Sequence, residues 1–150
     1  RPQRAGSVAL LPWTATTDAF QDWVYPNPGH SREERTAAWL ELDRRFGHDV
    51  SWEGIEPYRA TMWQREMHLF SHPFYYIEYG IAQLGSLQMW MNYRRDPAAA
   101  IAAYKRGLAL GGSRPLPQLF EAAGLRFDFG PGMIRRLWDE VEAELARLPA

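Results

Sequence analysis

Cysteine is absent from the 150 residues, which excludes disulfides and thiolate metal sites and is compatible with a cytoplasmic setting. No apolar run reaches the length needed to span a bilayer, so no membrane is expected as a partner. The opening stretch, Arg1 to Ser7, has no apolar segment of the kind a signal peptide needs. Charge of one sign is lacking too, with 17 basic against 18 acidic residues. The pairs Arg44-Arg45, Arg94-Arg95 and Arg135-Arg136 lie far apart and among acids, so no basic stripe follows a phosphate backbone and no nucleic acid is expected. Strand-like alternation, low-complexity tracts and linkers are missing. The first residue is not Met, and the expectation is a piece of a longer protein.

Aromatic residues are abundant: seven each of Trp, Tyr and Phe. Such side chains need deep packing or a partner surface. The length fits a single helical domain over residues 1–150. The predicted fold is all-α with at least five helices. A first helix spans about Val8 to Val24, with a polar middle at Thr14 to Asp18, and Pro26, Pro28 and Gly29 end it. Ser31 and Glu34 form a capping box for a helix running to Phe46, with Ala38, Leu42 and Phe46 on one stripe and Gly47 as a left-handed stop. A third helix starts at Pro57 and stops near Ser71, because Pro73 disfavours helix before it. Pro73 to Gly80 is left open, and a long helix follows to Arg95, with Ala82, Gly85 and Ser86 small enough for a close helix contact. Asp96-Pro97 caps the next helix, which ends at Gly111-Gly112. Pro117 to Ala123, closed by Gly124, and Met133 to Leu148 complete the set.

The chemistry is concentrated between His68 and Gly85. His68 and His72 have the i, i+4 spacing of a zinc-binding helix. A zinc protease needs Glu directly after the first His, and that position is Leu69. No third ligand sits at a recognisable spacing, so no metal site is expected in this chain. Tyr76 and Tyr79, three apart, share one side if the segment is helical, and their hydroxyls could then donate to an anionic oxygen. The alternative is that both only fill core, which composition alone favours.

The run His72-Pro73-Phe74-Tyr75-Tyr76-Ile77-Glu78-Tyr79-Gly80-Ile81-Ala82-Gln83-Leu84-Gly85 resembles the signature near the end of oligoendopeptidase F-like enzymes of the M3 family of zinc metallopeptidases. The similarity continues upstream at Asp18 to Trp23, Trp39 to Leu42 and Met62 to Arg65. Downstream it continues at Asn92 to Pro97, Gly111 to Pro117 and Phe120 to Gly124. The resemblance implies that His68, followed by Tyr at the eighth and eleventh positions, binds the substrate backbone. It implies that Tyr76 and Tyr79 bind substrate and stabilise the oxyanion, which makes them the catalytic candidates. His72 and Tyr75 fall outside the pattern and are read as packing beside a cleft. The family metal site is His-Glu-x-x-His plus a downstream Glu, and no His-Glu pair occurs in these residues. The implied zinc would therefore belong to the intact enzyme and not to this chain. The implied partners are short peptides, the zinc-binding portion of the enzyme and, through exposed apolar surface, a second copy. The Trp residues of the first helix are candidates for that surface.

A different class of reading is a tetratricopeptide-like interaction module, suggested by the small-residue helix Pro97 to Leu110. Such arrays repeat about every 34 residues, and no second copy is present.

Overall fold

A computed structural model describes residues 2–147. Among the described residues there are eight α-helices, one 3-10 turn and no strand: α1 (Pro2–Val24), α2 (Arg32–Phe46), α3 (Glu56–Thr61), the 3-10 turn (Met62–Arg65), α4 (His68–Ser71), α5 (Ile77–Arg95), α6 (Pro97–Ala109), α7 (Leu116–Ala122) and α8 (Pro131–Leu145). The all-α expectation holds. Among the described residues no helix is long and apolar enough to cross a membrane. Contacts cluster into two compact units, residues 1–80 and 81–150, and the division falls inside α5.

The first unit is built on Phe20, Trp39 and Leu69, with Trp13, Trp23, Leu42, Met62 and Trp63 packed around them. Trp39 is completely buried, and its indole N–H donates to the Arg59 carbonyl at 2.9 Å. The Trp residues of α1 thus face a core and are not a free surface. α1 also buries polar residues: Thr14, Thr16, Thr17 and Gln21 are at most 2% exposed, so the polar middle that weakened its pattern is its inner face. The hydroxyls of Thr14 and Thr16 donate to the carbonyls of Leu10 and Pro12, each at 2.9 Å, so these side chains bury methyl groups without losing hydrogen bonds.

α2 begins at the expected capping box, with Ser31 and Glu34 each bonding the other's backbone N–H. Its buried residues are Trp39 and Asp43, one position on from the expected Ala38–Leu42 stripe. Gly47 ends α2 in extended and not left-handed backbone (φ −70°). What requires glycine there is space: a Cβ would stand 2.3 Å from the Asp43 carbonyl oxygen. The expected third helix is broken into α3, the 3-10 turn and α4, although its end at Ser71 agrees.

The second unit buries Leu84, Ala100, Ala103, Ala123, Met133 and Leu137. Asp96 caps α6 as expected, its carboxylate accepting from the Ala99 N–H at 3.0 Å. Gly85 is a point of close approach, since a Cβ there would lie 3.1 Å from the Phe120 ring. α6 packs on α7, and just past the end of α7 Ala123 and Gly124 lie against Gly107 and Ala103. α8 starts at Pro131, two residues before the expected Met133, and the expected end at Leu148 lies outside the described residues.

At Gly107 a Cβ would sit 2.8 Å from the Ala123 Cβ and 3.3 Å from its backbone. Alanine improves helix propensity by about 1 kcal/mol. Overpacking against backbone costs about 1–3 kcal/mol. Gly107→Ala should therefore lower the thermal midpoint. A raised midpoint in calorimetry would show that α6 and α7 are not in tight contact.

Candidate functional site

The segment from Glu66 to Gly80 converges on His68. α4 is a single turn that presents His68, and the His72 N–H closes it on the His68 carbonyl at 3.0 Å. The chain then reverses at Phe74, which has φ 61°, the one positive φ of a non-glycine residue among those described. Two groups from α1 and its end hold this reversal. The Gln21 side-chain oxygen accepts the Phe74 N–H at 2.6 Å, and the Tyr25 hydroxyl donates to the Leu69 carbonyl. The Tyr25 and Phe74 rings are also in contact at 5.4 Å. Helix α5 starts three residues later, so Tyr76 and Tyr79 come to one side, their ring centres 5.1 Å apart. Gly80 lets the start of α5 lie on α1, since a Cβ there would meet the Thr14 methyl at 3.1 Å.

His68 is ringed by aromatics. Tyr75 stacks on it nearly parallel at 5.9 Å, and Tyr76 and Tyr79 meet it edge-on, each at 5.4 Å. The Tyr79 hydroxyl is 3.1 Å from His68 Nε2. The three residues singled out in the sequence are thus brought together, but in different settings. Tyr79 is exposed and His68 partly so, whereas Tyr76 is 8% exposed. Burial, and then the negative charge of Glu66, push the Tyr76 phenol above the ordinary tyrosine range. The Trp13 indole N–H in turn donates to the Glu66 carboxylate at 3.1 Å. Glu66, Trp13 and Gln21 carry no motif and were not found from the sequence. Each acts across 53 residues or through such a partner, beyond the reach of local spacing.

The two histidines are turned to separate local partners. Their ring centres are 6.1 Å apart, His68 Nε2 faces the Tyr79 hydroxyl, and His72 Nδ1 is 2.8 Å from Ser71 Oγ. Among the described residues no three His, Asp or Glu side chains group as metal ligands. What the arrangement offers is an exposed hydroxyl donor and an imidazole at its side.

The sequence matches the model of peptidase family M3 over residues 3–137. The chain belongs to peptidase family M3. Solved structures agree. An oligoendopeptidase F structure at 3.1 Å superposes with a TM-score of 0.85 and 30% identity, over 98% of this chain and 26% of that one. PZ peptidase A with an inhibitor gives 0.90 and 30%, over 97% and 26%. An oligoendopeptidase F from Bacillus anthracis gives 0.77 and 28%, over 98% and 23%. This M3 chain therefore spans about a quarter of the length of those structures. No curated protein matches it.

The burial of Tyr76 is open to a direct check. In a difference titration followed by phenolate absorbance, the tyrosine lost in Tyr76→Phe should ionise above the remaining ones. Glu66→Gln should bring it down part of the way, because burial is the larger cause. A Tyr76 that titrates with the exposed tyrosines would show that its hydroxyl meets water.

Proposed function

We propose that the chain is the C-terminal, substrate-binding part of the catalytic domain of a cytoplasmic, zinc-dependent oligopeptidase that hydrolyses peptide bonds in short peptides. The observation that supports this most directly is the Tyr79 hydroxyl beside His68 Nε2, on accessible side chains of an M3 chain. In this reading both compact units belong to one domain. The zinc and the carboxylate that activates water come from enzyme outside these 150 residues, which contain no His-Glu pair.

The roles are those that the M3 resemblance implies for these positions. His68 hydrogen-bonds the peptide backbone and holds the substrate in register. Tyr79 donates its O–H to the scissile carbonyl oxygen, where negative charge develops as water attacks. A donor at that point gains most when the charge is full, so it speeds the chemical step more than it tightens binding. Tyr76 lies behind the pair and contributes as the second phenol. Exposed Tyr58, Met67 and Phe70 suit contact with the rest of the enzyme or with a second copy.

In the intact enzyme, Tyr79→Phe should lower kcat by about 10²–10³ with KM little changed. His68→Ala should impair both, and Tyr76→Phe should fall between the two. Near-normal kcat in Tyr79→Phe would make this tyrosine a packing residue. The 150-residue chain alone should cleave no peptide and hold no stoichiometric zinc by elemental analysis. Tight one-to-one zinc, lost in His68→Ala or His72→Ala, would instead establish the histidine pair as a metal site.

A further inference from the structure

Within the second unit, α5, α8 and the segment after α7 enclose a cavity of about 190 Å³. Arg95, Arg126 and Arg136 line it, and no Asp or Glu does. The polar remainder is amide: Gln88 and Asn92. Its apolar floor is Met133 and Leu137, both buried. Three arginines line one concavity and carry like charge, and an anion placed among them offsets their mutual repulsion.

The surroundings hold the Arg126 backbone and the Arg95 side chain in place. Gln88, 8% exposed, uses both ends of its amide on Arg126: its Nε2 donates to the Arg126 carbonyl at 3.0 Å, and its Oε1 accepts the Arg126 N–H at 2.9 Å. Asn92 donates to the Gly124 carbonyl at 3.0 Å and accepts from the Arg95 guanidinium at 3.1 Å. A buried glutamine thus pins the backbone that carries Arg126, and Asn92 aims Arg95. None of the three arginines makes an ion pair among the described residues. The nearby acid Glu144 is engaged by Arg94 and Arg147, and Glu140 borders the adjoining cavity, which Arg95 and Arg136 also line, without pairing with either.

We propose that this cavity binds a small oxyanion. Guanidinium groups match the planar or tetrahedral oxygens of a carboxylate or a phosphate through paired N–H donors. The two are sources of one chemistry. The site is independent of His68 and the tyrosines and does not rest on the peptidase reading.

Isothermal titration of this chain at constant ionic strength tests it, with inorganic phosphate and succinate as separate probes. At least one should bind saturably at one site. Phosphate alone would assign a phosphoryl ligand, and both would assign oxyanions in general. Arg126→Gln and Arg136→Gln should each weaken binding by about tenfold or more, the loss expected for one charged hydrogen bond. Arg135→Gln, on the same helix but outside this cavity, should leave it unchanged. Because all three arginines are exposed, the variants should retain the wild-type far-UV spectrum. Absence of saturable binding by both probes would overturn the proposal. So would an equal loss in Arg135→Gln, which would mark diffuse attraction to positive charge.

Discussion

The amide oxygen of Gln21 and the backbone N–H of Phe74, 2.6 Å apart, set the geometry that the candidate site depends on. Left-handed backbone at a non-glycine residue costs about 1–2 kcal/mol. One hydrogen bond contributes about 1 kcal/mol net. The Tyr25–Phe74 ring contact contributes roughly a further 0.5–1.5 kcal/mol, so the reversal is supported to about the extent that it is strained. Gln21 sits on α1, itself fixed by Phe20 and the Trp side chains of the core. Core packing is thereby transmitted to the turn, and the turn decides where α5 begins and which way its tyrosines face.

Two tyrosines on one side of that helix end up with unlike properties. Tyr76 is enclosed and lies beside a carboxylate that Trp13 holds, and the two together push its phenol above the ordinary tyrosine range. Tyr79 is one turn farther on and open to solvent, with an imidazole at hydrogen-bonding distance. The difference comes entirely from neighbours contributed by other segments.

That contrast explains what could be read from the sequence. The capping box at Ser31, the Asp96 cap and the stop at Gly124, with φ 73°, are local hydrogen-bond or backbone chemistry, and the residue types announce them. The Tyr76 and Tyr79 pair was legible as spacing once the segment was taken as helical, and His68 joined it only through the family resemblance. The inner face of α1 was not legible, because threonine counts as polar while the hydroxyls of Thr14 and Thr16 are satisfied within their own helix. The break between α3 and α4 was hidden for a related reason: every residue from Tyr58 to Phe70 is acceptable in a helix, and no Gly or Pro marks the 3-10 turn. Glu66 and Gln21 are ordinary polar residues whose partners lie far off in the chain.

The reversal at Phe74 also fixes the length of the chain between His68 and Tyr79. α4 is one turn and α5 starts at Ile77, so only a few residues join two helices whose faces must meet. Inserting or deleting a single residue there would rotate every following side chain by about 100° around the α5 axis. Tyr79 would leave His68, and Gly80 would no longer meet Thr14. This stretch is therefore one that can change its side chains over time but not its residue count.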